Sequence, residues 1–183
     1  MKQLRKLLLP LLAAALVAPV IPAAVTATDQ QVKAVFVYRF SQFVSWPAAA
    51  YSSGTEPFVI GVLGSDSFAE LLEDVVRGEQ VDNHPILVRS FRTAETVGPV
   101  HILFVDRSES ARLEQVVALV KNRSILTVSD LDDATQRGVM IQFTNANNRI
   151  GLRINADSAR SARLVMSSNL LRLAEVVRSG SRE

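Results

Sequence analysis

With 183 residues, 48% of them apolar, the chain is long enough to bury a core of its own. Having no cysteine, it offers neither a disulfide framework nor thiol chemistry. Its 20 Lys and Arg against 18 Asp and Glu give a formal charge of +2, and three of the basic residues fall within the first six positions.

The opening MKQLRKLLLPLLAAALVAPVIPAAVTA has the three parts of a secretory signal. Lys2, Arg5 and Lys6 precede an apolar stretch over 7–20, and Val25-Thr26-Ala27 offers small side chains for cleavage. A membrane anchor needs ~20 continuous apolar residues, and Pro10, Pro19 and Pro22 interrupt this run. The expectation is a signal peptide over 1–27, an α/β domain over 28–178 and a disordered tail over 179–183. Removal of the signal leaves 17 basic and 18 acidic side chains, a formal charge of −1. The whole-chain pI of 9.3 then largely describes a discarded peptide. No basic patch remains to argue for nucleic acid.

The stretch VKAVFVYRFSQFVSWP, residues 32–47, holds five of the eleven aromatic residues. Val32, Val35, Phe36, Arg39, Phe40, Phe43 and Val44 fall near helical spacing, and the segment is too short and too polar to span a bilayer. An amphipathic helix ending at Pro47 is expected. Trp46, at its end, either plugs the core or stands half-exposed as an interface anchor. Residues 48–57 (AAAYSSGTEP) read as a loop.

Beyond the loop, short apolar runs alternate with amphipathic segments, the signature of an α/β layer fold. PFVIGVLG (57–64) reads as a buried strand. Phe68, Leu71, Leu72, Val75 and Val76 form the stripe of a helix capped by Ser65 or Asp66 and stopped at Gly78. A turn over 82–85 leads to the strand ILVRSF (86–91). HILFV (101–105) is another buried strand, and Ser108 is expected to cap a helix with its stripe on Leu113, Val116, Val117 and Val120. SILTVS (124–129) is a strand followed by a short helix from Asp130. VMIQF (139–143) and RIGLRIN (149–155) flank a polar turn and suggest a hairpin. Helical material from Asp157 to about Val177 closes the chain. The fold class is α/β: a single domain with a mixed, mostly parallel sheet flanked by helices, plus a C-terminal hairpin and helix.

Few residues offer chemistry. His84 in a turn and His101 on a strand read as structural, and no GxSxG, HExxH, paired CxxC or Walker loop occurs. Asp130, Asp132 and Asp133 lack EF-hand spacing and are assigned to a helix start, where the dipole favours acids. Gly61 to Asp66 has GxxG rather than dinucleotide spacing and is read as a tight turn. Three strands end alike, at Gly64-Ser65-Asp66, Asp106-Arg107-Ser108 and Ser129-Asp130. Parallel strands would bring those ends to one sheet edge, where α/β proteins bind small ligands. Helix capping explains the same residues.

The opening stretch, with its apolar helix ending in Trp-Pro, resembles that of YfiR-family proteins. PFVIGVLGSDSF, HILFVDRSES, ILTVSDLDD, GVMIQF, RIGLRINADSA and MSSNLLRLAEVV follow in the same order and extend the resemblance over nearly all of residues 32–177. It implies a periplasmic α/β domain with no enzymatic activity and no cofactor. Such a domain represses an inner-membrane diguanylate cyclase through the cyclase's periplasmic part, lowering cyclic di-GMP and biofilm formation. It also implies sequestration by an OmpA-type outer-membrane lipoprotein, and a homodimer. Relatives often carry a cysteine where this chain has Val100, so redox-sensitive behaviour does not carry over. Small-molecule sites proposed in relatives correspond to Ser45 and Trp46, and to Ser167 and Ser168. The expected partner- or ligand-binding residues are Arg39, Phe43, Ser45, Trp46, Ser167 and Ser168. The alternative is a periplasmic small-ligand carrier, or an esterase-like enzyme, using the edge marked by Ser65, Ser108 and Ser129.

Overall fold

The first helix, α1 (Asp29–Phe43), opens with Thr28 and Gln31 capping each other. Thr28 Oγ1 accepts from the Gln31 amide and Gln31 Oε1 from the Thr28 amide, at 3.2 and 2.7 Å, so two orphan amides are satisfied. A computed structural model describes residues 27–51, 56–146 and 149–177; all but the last residue of the expected signal over 1–27, and the tail over 179–183, lie outside the described residues.

After α1 come β1 (Val44–Ser45), β2 (Phe58–Leu63), α2 (Asp66–Val76), β3 (Gln80–Val81), β4 (His84–Phe91) and β5 (Ile102–Val105). Then follow α3 (Leu113–Val120), β6 (Leu126–Ser129), β7 (Ile141–Ala146), β8 (Arg149–Asn155), α4 (Ala156–Ser161), β9 (Val165–Met166), α5 (Ser168–Arg172) and β10 (Glu175–Val177). Eight strands form one mixed sheet in the order β10-β8-β7-β6-β5-β2-β4-β3. The neighbours from β4 to β7 are parallel, as are β8 and β10; β7–β8 and β3–β4 are antiparallel. The expected fold class holds.

The period of two along the central strands sends side chains to two cores. Phe58, Ile60, Val62, Ile102, Phe104, Leu126 and Val128 face α1 and α2. Val59, Leu63, Leu103 and Val105 face α3 with Leu113, Val116 and Val120. Phe68 of α2 stacks on Phe104 at 4.2 Å between centroids. The crossing from β2 to α2 needs Gly64, whose φ is +91° and whose missing Cβ leaves room for the Ser108 hydroxyl.

Several expected boundaries shift. Asp82 and Asn83 both adopt positive φ, so the turn is tighter than expected, and β4 starts at His84 and pairs with β3. Ser108 does not cap α3: Asp106 caps a 3-10 turn over Arg107–Arg112, and the Ser108 hydroxyl donates to the Gly64 carbonyl at 3.1 Å. No helix starts at Asp130; residues 131–138 are turns. The closing helix is replaced by α4 and α5 separated by β9, and followed by β10. β9 and β10 are held by β1 and β8, partners distant in sequence.

Candidate partner-binding surface

Apolar side chains occur on both sides of α1. Ala34, Val37, Tyr38, Phe40 and Ser41 are buried against the sheet and α2. Tyr38 fastens that side by donating its hydroxyl to Glu79 Oε2 at 2.6 Å, a bond that together with burial raises its pKa. The stripe read from the sequence is mostly the other side: Val32, Phe36 and Phe43 are half-buried and Val35 is 44% exposed. That outer side lines an apolar groove of about 400 Å³ with Leu152 of β8, Leu170 of α5 and Leu173. Leu173 is 70% exposed. Phe36 forms part of the floor, its ring 6.2 Å from that of Phe143.

All six expected site residues lie on α1 (Arg39, Phe43), on its continuation through β1 (Ser45, Trp46) or just after β9, which pairs with that continuation (Ser167, Ser168). Arg39 lines the groove with Phe43; its guanidinium lies over the Tyr38 ring and donates to Gln42 at 2.8 Å. Backbone pairing of β1 with β9 sets Val44 opposite Met166 and Ser45 opposite Val165. The Ser167 amide donates to the Phe43 carbonyl at 2.8 Å, and the Ser167 hydroxyl caps α5 through the Leu170 amide. Ser45 and Ser168 are exposed. The end of α1 and the start of α5, 125 residues apart in sequence, thus form one surface. The groove's far wall, Leu152, Leu170 and Leu173, carries no local signal; only the β1–β9 pairing and the sheet place it there.

Trp46 turns inward from this surface. Its indole N–H donates to the His101 carbonyl at 3.1 Å and its ring meets Phe58 edge-on at 4.9 Å. His101 stacks on Phe58 at 4.5 Å, meets the tilted ring of Tyr51 at 4.8 Å, and accepts from the Val59 amide through Nδ1. Burial, with His84 nearby, pushes the His101 imidazole below its ordinary pKa. Burial likewise raises that of Tyr51. These rings plug the end of the sheet where the parallel strands begin.

At the opposite, carboxyl edge, the expected parallel alignment of β2, β5 and β6 holds, but the serines there serve the backbone. Ser65 caps α2, Ser108 binds the Gly64 carbonyl and buried Ser129 donates to the Val105 carbonyl. Asp130 is buried in ion pairs with Lys33 and Arg107. Among the described residues no group of His, Cys, Asp and Glu is placed to hold a metal ion, and no helix is long and apolar enough to cross a membrane.

The order of these elements, from the Trp-Pro end of α1 to the serines of α5, matches one protein-family model, described as YfiR/HmsC-like, over residues 30–175. The chain belongs to the YfiR/HmsC-like family. The family is one of periplasmic regulatory proteins acting on diguanylate cyclase signalling at the membrane. No curated protein matches the chain significantly. Within this YfiR/HmsC-like chain, the outer side of α1 is an apolar surface that no element covers among the described residues.

Proposed function

We propose that this protein, exported by cleavage of its N-terminal signal near Ala27, represses an inner-membrane diguanylate cyclase by docking the α1 groove on the cyclase's periplasmic part. The observation that carries the reading is the apolar outer side of α1, continued by Leu170 and Leu173 and left without a covering element among the described residues. Contiguous exposed apolar surface of this kind marks interaction sites. Arg39, Ser45 and Ser168 would form a polar rim and Phe43 the centre, the usual anatomy of an interface. Trp46 would back the surface from beneath. Repression then follows by linkage: docking lowers cyclic di-GMP only as far as the groove prefers the inactive state of the cyclase. An OmpA-type lipoprotein that covers the same groove would release the cyclase, and a second copy of this chain would compete for it.

Val35→Asp tests the reading. The new carboxylate sits in water in the free protein, so stability should move by no more than about 0.5 kcal/mol. On docking it would be buried unpaired, at a cost of several kcal/mol. A folded V35D protein in the periplasm should leave cyclic di-GMP as high as deletion of the gene does. Full repression by that variant would refute the groove as the docking surface.

A further inference from the structure

We propose that the carboxyl edge of the sheet holds a separate binding site for a neutral vicinal diol, a sugar or polyol, centred on Asp130. Asp130, at the end of β6, is 3% exposed, and the cavity it lines has a volume of about 350 Å³, within the range of small-molecule sites. Its Oδ2 accepts from Lys33 Nζ at 2.6 Å and faces Arg107 Nε at 3.3 Å. Its Oδ1 is buried with no hydrogen-bond partner among the described residues. A buried carboxylate oxygen without a donor is costly, so the site lacks one donating group.

The rest of the lining says what kind of donor fits. Asp29 and Asp130 balance Lys33 and Arg107, so the walls present no net charge to attract an ion. Arg107 Nη2 is committed to the Asp130 carbonyl at 2.9 Å, whereas Nη1 has no partner among the described residues. An unfilled acceptor beside unfilled donors suits a hydroxyl pair: one hydroxyl donates to Asp130 Oδ1 and its neighbour accepts from Arg107 or Lys33. Asn145, already donating to Asp29 at 3.3 Å, adds a planar amide at the mouth. Phe143 and Ile150 supply an apolar wall for the C–H face of a sugar ring. Asp130 itself serves neither the expected helix start nor a cation site.

The test titrates D-ribose and D-glucose into the purified protein, following backbone amide shifts by NMR. 2,3-O-isopropylidene-D-ribose, with its diol masked, is the control. Saturable shifts at Lys33, Asp130 and Asn145 are expected with at least one free sugar and none with the masked one. Arg107→Ala, at an exposed side chain that leaves the Lys33–Asp130 pair intact, should weaken binding about tenfold; Asp130→Asn should abolish it. The site is refuted if neither sugar shifts those amides, if the masked sugar binds equally, or if R107A binds as well as wild type. Docking through the α1 groove is read by cyclic di-GMP and stands or falls separately.

Discussion

Trp46 is the residue at which a structural and a partner-binding role diverge most in measurable terms. In the fold it contributes one hydrogen bond, from its indole to the His101 carbonyl at 3.1 Å, and an edge-on ring contact with Phe58 at 4.9 Å. The carbonyl also accepts from the Leu126 amide at 2.8 Å, so losing the indole leaves it satisfied. Trp46→Phe should therefore cost only about 0.5–1 kcal/mol for the hydrogen bond. Trp46→Ala also loses the ring contact, about 0.5–1.5 kcal/mol, and buried apolar area. A fully buried Trp→Ala costs roughly 3–5 kcal/mol; for a half-buried ring about 2–3 kcal/mol is expected. Urea denaturation should show the two variants in that order with an unchanged m-value, since the surface exposed on unfolding is nearly the same. A loss below about 1 kcal/mol for W46A would refute the plug, because an indole so packed cannot be removed that cheaply. Trp46 would then be available as an interface anchor.

His101 should make the fold acid-sensitive. Its pKa is lowered from 6.5 by burial and by His84, so the unfolded chain binds the proton more readily, and stability, full above 6.5, falls as pH drops below it. Urea midpoints across that range should slope less in His101→Gln than in wild type. Glu114 accepts two hydrogen bonds from Arg137, at 2.6 and 2.8 Å, which hold its carboxyl at a pKa of about 2. An NMR titration should find that value, and Arg137→Gln should return it toward 4.5. The pair's stabilisation, present above 4.5, fades as pH falls toward 2. Gly64→Ala places a Cβ 2.5 Å from the Ser108 Oγ at a φ of +91° and should cost about 1–3 kcal/mol by denaturation. Adding Ser108→Ala should recover only the contact part of that loss.

The legible parts of the fold were those decided locally. β2, β5 and β6 are apolar runs closed by polar residues, and α2 and α3 repeat their stripes with the period of a helix; each stood at or near its expected place. The C-terminal region was not legible. Neither α4 nor α5 exceeds six residues, too short to be stable from propensity alone, and β9 and β10 exist through pairing with β1 and β8. The same pairing assembles the candidate surface. The end of α1 and the start of α5 were recognisable as separate motifs, but their contact depends on the β1–β9 register. Asp130 was misassigned for a related reason: an acid after a strand looks like a cap, and only the fold brings Lys33 to it from 97 positions away.

The stripe on α1 was legible in sequence, but the second apolar side behind it was not, and that second side bears on the proposed mechanism. A helix with one apolar side buries it; α1 has two, and the inner one is already held by the sheet, by Tyr38 on Glu79 and by Lys33 on Asp130. The outer one therefore stands on a helix that is already ordered. Shifting a partner from about 1:99 to 99:1 takes roughly 5.5 kcal/mol of differential affinity. Fully burying an exposed apolar side chain contributes about 1.5–3 kcal/mol. Val35 and Leu173, 44% and 70% exposed, with the less exposed Phe36 and Phe43, therefore supply a large part of that if the inactive cyclase covers them and the active one does not, and contacts at the polar rim supply the rest. Little of that is spent on ordering the docking helix, because the contacts behind it have already fixed its place. A repressor that works by covering a surface needs this division between a clamped inner side and an open outer one.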